Sequence, residues 1–318
     1  MITYAHLRRN PHMFQRLSGI TVEEFDRLYA EFEPVWVAAE RVRLQRAGRK
    51  RAIGGGGDYK LELETHLLMA LVWLRLYLTT EALGYFFSIS QSAASRNTRR
   101  LLAVLHQMSK AAFTWSEPPP RGKGRSAAQL KAEEPDLFAI LDATEQPLER
   151  PKNKEREHLA YSGKRRRSTC KDALIVNEQG LIRAITPTSV LGRTHDLTQI
   201  RNAALLETIP KEVVILADAG YDGLAKDLPE HKVATMLKAK RNHPLQPADK
   251  FINRALASVR IIVENVFCQL KHFRSLVDRF RHDVEQVHSA VFAVVAMLVN
   301  RRTRQRLAQQ RLAAARAA

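Results

Sequence analysis

Apolar residues recur at helical spacing through the first third of the chain and in short strand-like runs through much of the second half. Leu67, Leu68, Leu71, Leu74 and Leu78 share one helical face inside a pattern that runs from Leu61 to Leu105. Before residue 48 the pattern is helical and polar, and Thr21-Val-Glu-Glu24 has the spacing of a capping box that opens a helix. Arg49-Lys-Arg51 and the Gly54–Gly57 run read as a flexible basic loop. Thr80 to Leu105 predicts two helices and a turn: Glu81–Phe87, then Ser88-Ile-Ser90 with Ser90 as N-cap, then Gln91–Leu105. On the second helix Ala94, Thr98, Leu101 and Leu105 point inward, while Ser92, Ser95, Arg96 and Arg99 point outward. A DNA recognition helix needs that division, with apolar residues holding it to its domain and small polar and guanidinium groups reaching the groove. An ordinary helical hairpin with a charged face has it too.

Trp115 to Glu134 reads as a linker, because Pro118-Pro-Pro120 and Gly122-Lys-Gly124 break regular structure. Beyond it the period changes. Leu137–Leu141, Asp172–Val176, Leu181–Ile185 and Val213–Ala217 are predicted strands, with Lys232–Leu237 a fifth candidate. Asn177–Gly180 joins two of them as a hairpin turn, with glycine placed for a positive φ. Long helices are predicted over 251–279 and 283–306. A meander followed by alternating helix and strand gives an α/β class: a mixed sheet flanked by helices, preceded by an all-α region. The expected divisions are a helical DNA-binding region at 1–114, a linker at 115–135, an α/β domain at 136–300 and a basic tail at 301–318.

Charge narrows the partners. The chain has 51 Lys+Arg against 33 Asp+Glu, a formal net charge of +18, which favours a polyanion and nucleic acid before a membrane. The strongest apolar run, Ala290–Val299, is about half the length of a bilayer-spanning helix. The first eleven residues have no apolar core of a secretory signal. The two cysteines, Cys170 and Cys268, form no CxxC, so neither a disulfide framework nor a structural zinc site is expected, and a cytoplasmic setting fits.

Two carboxylates stand at the ends of predicted strands, Asp142 and Asp218. A carboxylate at the lip of a buried strand carries a desolvation cost unless a cation or donor compensates it. Two such groups and a third from a helix make an oxygen-rich site suited to Mg²⁺, although each Asp also suits a loop cap. The helical candidate is Glu264, with Arg260 one turn before it and Lys271 two turns after, on one face. A solvated charged stripe has the same spacing. Asp196 and Gln199 have capping-box spacing, His195 reads as structural, Tyr221 and Gly220 as shaping a turn, and Cys268 as a small buried hydrophobe.

From about Leu17 to Arg302 the chain resembles the DDE-superfamily endonucleases that serve as transposases of bacterial insertion sequences, in the IS-five-like branch. The resemblance rests on Leu141-Asp-Ala-Thr-Glu145 with Arg150-Pro151 and Tyr161-Ser-Gly-Lys164, on Leu191-Gly-Arg-Thr-His-Asp196, on Leu216-Ala-Asp-Ala-Gly-Tyr221, and on Arg260-x₃-Glu264-x₆-Lys271. These four blocks stand in family order behind a matching helix-turn-helix that includes Tyr77-Leu-Thr-Thr80 and Ser95-Arg96. One position departs: Ala257 stands where the family often has tyrosine. The resemblance implies a ribonuclease-H-like core and a catalytic, metal-binding triad of Asp142, Asp218 and Glu264 holding two Mg²⁺ or Mn²⁺ ions. It further implies DNA contacts near that triad from Arg260 and Lys271, and a homo-oligomer on double-stranded transposon-end and target DNA. Lys164 and Arg165, in a basic cluster that follows the first strand, are further candidates for that DNA, and the helix-turn-helix set is Ser92, Ser95, Arg96 and Arg99. Such a protein acts at the nucleoid and cuts and joins DNA. The competing readings are a DNA-binding regulator or inactivated relic, and a nuclease without strand transfer.

Overall fold

The computed structural model describes residues 1–45, 60–115, 138–221, 223–237, 239 and 245–317. The expected basic loop at 49–57 and, apart from Trp115, the linker expected at 115–135 lie outside the described residues. The chain divides into two compact units, one comprising Met1–Ala112, Leu270–Phe280 and Ala290–Arg302, the other Phe113–Gln269, Arg281–Ser289 and Thr303–Ala318.

The first unit is helical: α1 (Tyr4–Leu7), α2 (Pro11–Ser18), α3 (Val22–Leu44), α4 (Leu63–Leu76), α5 (Thr80–Phe87) and α6 (Gln91–Ser109). The expected capping box is formed at the start of α3, where the Glu24 carboxylate accepts from the Thr21 N–H at 2.8 Å and Thr21 Oγ1 accepts from the Glu24 N–H at 3.2 Å. Gly19 ends α2 with φ +84°, and a Cβ there would lie 2.9 Å from the Phe273 ring. Both the conformation and the space therefore demand glycine. The sequence pattern gave α4 a single apolar stripe, but every residue from Thr65 to Leu74 is buried. A helix covered on all sides is the centre of its unit rather than a surface helix. Thr79 caps α5 and Ser90 caps α6, each side-chain oxygen accepting an N–H at 3.2 Å. The close turn between them requires Gly84, whose Cβ would lie 2.7 Å from the Ile89 carbonyl. The expected inward residues Ala94, Thr98, Leu101 and Leu105 are all buried, and α6 runs four residues past the expected end.

The second unit is built on a seven-stranded mixed sheet: β1 (Phe138–Pro147), β2 (Tyr161–Ser162), β3 (Arg167–Val176), β4 (Ile182–Ile185), β5 (Val190–Leu191), β6 (Val214–Ala217) and β7 (Val233–Thr235). The order is β2-β3-β1-β6-β7, with β4 and β5 also paired to β3. β1 and β3 are antiparallel, whereas β1, β6 and β7 are parallel neighbours. Three antiparallel strands continued by two parallel ones is the ribonuclease-H-like arrangement expected from the sequence. Gly180 takes φ +78° in the β3–β4 turn, where its N–H reaches the Asn177 carbonyl. Short helices α7 (Lys154–Ala160), α8 (Asp196–Asn202) and α9 (Leu224–Asp227) lie between strands in the chain, and the long α10 (Pro247–Lys271) and α11 (Ser289–Ala317) follow the last strand.

Strand alternation sorts the sheet into two faces. Ala139, Leu141, Ala173, Ile175, Ile215 and Ala217 enter a core with Leu197 and Ile200 of α8 and with Leu205, Leu206, Tyr221 and Leu224. Ile140, Asp142 and Leu174 therefore point to the opposite face. Two expected boundaries need correction. β1 does not stop at Asp142 but continues to Pro147, because residues 142–147 pair with 169–174 of β3. The expected separate basic tail is the last part of α11, which runs unbroken from Ser289 to Ala317. Its first cations are engaged within the first unit: Arg301 with both Glu31 oxygens at 2.7 and 2.8 Å, and Arg302 with the Gly19 carbonyl and the Glu24 carboxylate.

Candidate active site

Asp142 and Asp218 come together because their strands are parallel neighbours: Leu141 pairs with Ala217, so the next residue on each strand is an aspartate. β1 carries Asp142 at mid-strand, and β6 ends immediately before Asp218. Glu264 projects from α10, one helical turn after Arg260. The Arg260 guanidinium binds all three carboxylates. Nη2 donates to Asp142 Oδ2 at 3.2 Å and lies 3.9 Å from Glu264 Oε1, while Nη1 lies 3.5 Å from Asp218 Oδ1. Among the described residues, three negative charges thus meet the one guanidinium of Arg260.

The burial is graded. The Asp142 side chain is 17% exposed, Asp218 40% and Glu264 59%, so the site opens from the sheet toward solvent on the Glu264 side. Burial pushes the Asp142 carboxyl above its ordinary value, and the nearby Asp218 charge adds to that. The Ala143 N–H and Arg260 pull the other way. Tyr221 was expected only to shape the turn after β6, but it does more. It is buried, its hydroxyl has no hydrogen-bond partner among the described residues, and burial together with Asp196, Asp142 and Asp218 holds it firmly as the neutral phenol. Arg260 Nε is a second buried donor without a described partner.

Three carboxylates of graded exposure form a hard-oxygen donor set, the kind that holds Mg²⁺ or Mn²⁺. Their net deficit of positive charge beside Arg260 fits divalent cations. A second group, Cys170, Asp172 and His288, has ligand atoms within 4.8 Å of one another and is wholly buried. It reads better as a closed hydrogen-bond network. Ser189 Oγ donates to Asp172 at 2.6 Å, His288 Nδ1 lies 3.2 Å from the other Asp172 oxygen, and Nε2 lies 2.6 Å from Gln146 Oε1. Burial and the Asp172 charge also keep the Cys170 thiol protonated.

The other sequence candidates fall in several places. Lys164 and Arg165 are exposed in the turn joining β2 to β3. Even the first residue of β3, Arg167, stands seven residues from Leu174, the partner of Asp142, which is roughly 23 Å of strand. The turn is therefore far along the ladder from the triad, not beside it. Lys271 is exposed at the end of α10, and Ser92, Arg96 and Arg99 are exposed on α6 with Ser95 half-buried. Asp196 does not cap α8: the cap is His195, whose ring accepts the Leu197 N–H at 3.4 Å. Asp196 instead pairs with buried Lys171 at 2.8 Å, and Lys171 also lies 3.5 Å from Glu145. The cation that neutralises both acidic residues stands next to a cysteine on β3, with no local signal of its role. Cys268 is exposed rather than buried.

Residues 141–300 match the family model of the DDE superfamily endonucleases, and residues 59–111 match the helix-turn-helix of the same superfamily. The chain is 27% identical over 270 residues to a protein of Microchaete diplosiphon described as "Probable transposase for insertion sequence element IS702", covering 85% of this chain and 87% of that one. No solved structure matches the chain. Among the described residues no helix is long and apolar enough to cross a membrane. With an endonuclease match over half its length and a match to the helix-turn-helix of the same superfamily before it, the chain belongs to the DDE superfamily endonucleases.

Proposed function

We propose that this protein binds the terminal inverted repeats of an insertion sequence, cleaves a phosphodiester at the repeat boundary and joins the freed 3′-hydroxyl to target DNA. The observation that carries the reading is the convergence of Asp142, Asp218 and Glu264 on one guanidinium. Asp142, Asp218 and Glu264 would hold two Mg²⁺ or Mn²⁺ ions, which when bound activate the attacking oxygen and stabilise the leaving one. Hydrolysis and strand transfer are both in-line displacements at phosphorus, so one carboxylate set serves both.

The chain's own residues act around that centre. Asp142, fixed within a ladder, orients its carboxylate with Arg260 and the Ala143 N–H. Arg260 keeps the three acidic groups converged and offers its guanidinium to a non-bridging phosphate oxygen once the carboxylates have other cations. Tyr221 closes the buried floor and keeps a neutral donor beside the acidic groups. Lys271 grips the DNA near the triad, and Lys164 and Arg165 grip it farther along. Ser92, Ser95, Arg96 and Arg99 contact the repeat. Because two ends must be handled together, the active form is a homo-oligomer on double-stranded DNA at the cytoplasmic nucleoid.

The test is cleavage of a labelled duplex carrying the element's own end, with Mg²⁺ or EDTA, using wild type and Asp142→Ala. Metal-dependent nicking at the repeat boundary that vanishes in the variant is expected, followed by strand joining when target DNA is added. Binding without cleavage in either Mg²⁺ or Mn²⁺ would overturn the catalytic reading in favour of a regulator. Cleavage without joining would reduce the protein to a nuclease.

A further inference from the structure

A cleft of about 280 Å³ opens beside the start of α6, lined by Lys60, His66, Ser90, Arg96, Asn97 and Arg100 among others. Three of these are cations, and among the described residues no acidic side chain lines the cleft and no ion pair engages any of the three. Lys60 approaches from the segment before α4, while Arg96 and Arg100 stand one turn apart on α6. At 3.6 residues per turn, the Arg96–Asn97–Arg100 side lies roughly a third of the way round the helix from the side bearing Ser92, Ser95 and Arg99. The helix thus presents two different surfaces. One is small and polar and suits base edges. The other is a concave cationic wall at the positive end of a nineteen-residue helix. The wall is also braced: Asn97 Nδ2 lies 3.0 Å from His66 Nε2, and His66 is buried in α4.

We infer that this cleft is a docking site for one backbone phosphate of the DNA duplex, held by Lys60, Arg96 and Arg100, which sets the register from which the Ser92–Ser95–Arg99 side meets the bases. The inference rests on the proposed binding of DNA by this unit. It gives the helix-turn-helix cations different roles. Arg96 and Arg100 supply sequence-independent affinity, and Arg99 supplies discrimination.

The experiment measures anisotropy of a labelled repeat duplex and a scrambled duplex across a salt series, with full-length protein and circular dichroism to confirm folding. Lys60→Ala and Arg100→Ala are expected to weaken both duplexes by the same factor and to flatten log K against log salt, by at most about one unit, the share of the single phosphate they jointly hold. Arg99→Ala is expected to reduce the preference for the repeat. In a series of duplexes with single methylphosphonate linkages, one position should weaken wild type and leave Arg100→Ala unaffected. An unchanged salt slope in both cleft variants would overturn the inference while leaving repeat binding intact. A wild type that binds neither duplex would overturn the DNA-binding reading itself. Loss of duplex binding to millimolar inorganic phosphate at constant ionic strength, with no sensitive methylphosphonate position, would reassign the cleft to a free anion and overturn the duplex assignment.

Discussion

Arg260→Ala removes the cation that, among the described residues, touches all three candidate carboxylates. The dominant contact is the 3.2 Å hydrogen bond to Asp142, between side chains 21% and 17% exposed. A hydrogen bond to a charged group in such a setting contributes about 1.5–3 kcal/mol. The contacts to Asp218 at 3.5 Å and Glu264 at 3.9 Å involve more exposed partners and add at most about 1 kcal/mol between them after solvent screening. The variant should therefore lose about 2–4 kcal/mol of local stability where β1 and β6 meet. At 1.4 kcal/mol per factor of ten, amide exchange there should accelerate by roughly thirtyfold to several hundredfold. Hydrogen exchange of peptides spanning β1 and β6, measured in EDTA, reads this directly. Mg²⁺ should then restore protection in the variant more than it adds to wild type, since it supplies the missing positive charge. Exchange within threefold of wild type in EDTA would refute the bridging role of Arg260.

Other perturbations test other parts of the fold. His288→Ala should cost about 3–5 kcal/mol in urea denaturation, because it leaves Asp172, 2% exposed, without its buried partner; a loss below 1 kcal/mol would show that Ser189 alone satisfies the carboxylate. Gly19→Ala should lower the melting temperature, by an energy above about 1 kcal/mol, since the residue has φ +84° and its Cβ would press on Phe273; an unchanged melt would show that the end of α2 relaxes freely. Burial holds the His66 pKa below its ordinary 6.5, so the native state binds fewer protons than the unfolded chain. Its contribution is present above pH 6.5 and is lost as pH falls below that value toward the folded pKa. Titrating stability from pH 7.5 to 5 should show this loss, His66→Gln should blunt it, and equal slopes in the two proteins would count against it.

The helical unit was legible where a local rule decides the outcome. Thr21–Glu24, Ser90 and the buried face of α6 follow from capping and periodicity, and the structure contains each of them. The catalytic candidates were legible as residues but less so as geometry. The apolar run stops at Leu141, yet β1 continues because ladder pairing with β3 holds Asp142 to Pro147 extended whatever their hydropathy. Asp196 had the spacing to cap α8, but a buried lysine with two acidic neighbours claimed its carboxylate and left the cap to His195. Arg260 was visible as an i,i+4 partner of Glu264. Its reach to Asp142, 118 residues away, and to Asp218 at the end of the neighbouring strand depends on long-range strand pairing, which no local pattern encodes. The cationic cleft also needed the fold, because Lys60 lies far in sequence from Arg96 and Arg100.

The mid-strand position of Asp142 makes the chemistry hostage to reading frame in a spatial sense. Side chains alternate along β1, so a single inserted or deleted residue between Phe138 and Asp142 would turn the carboxylate into the apolar core and bring Leu141 or Ala143 to the metal face. A strand-end aspartate could swing back through a flexible loop, but one clamped by β3 on one side and followed by five more strand residues has no such escape. A one-codon indel in this short stretch should therefore silence the element as completely as losing the aspartate.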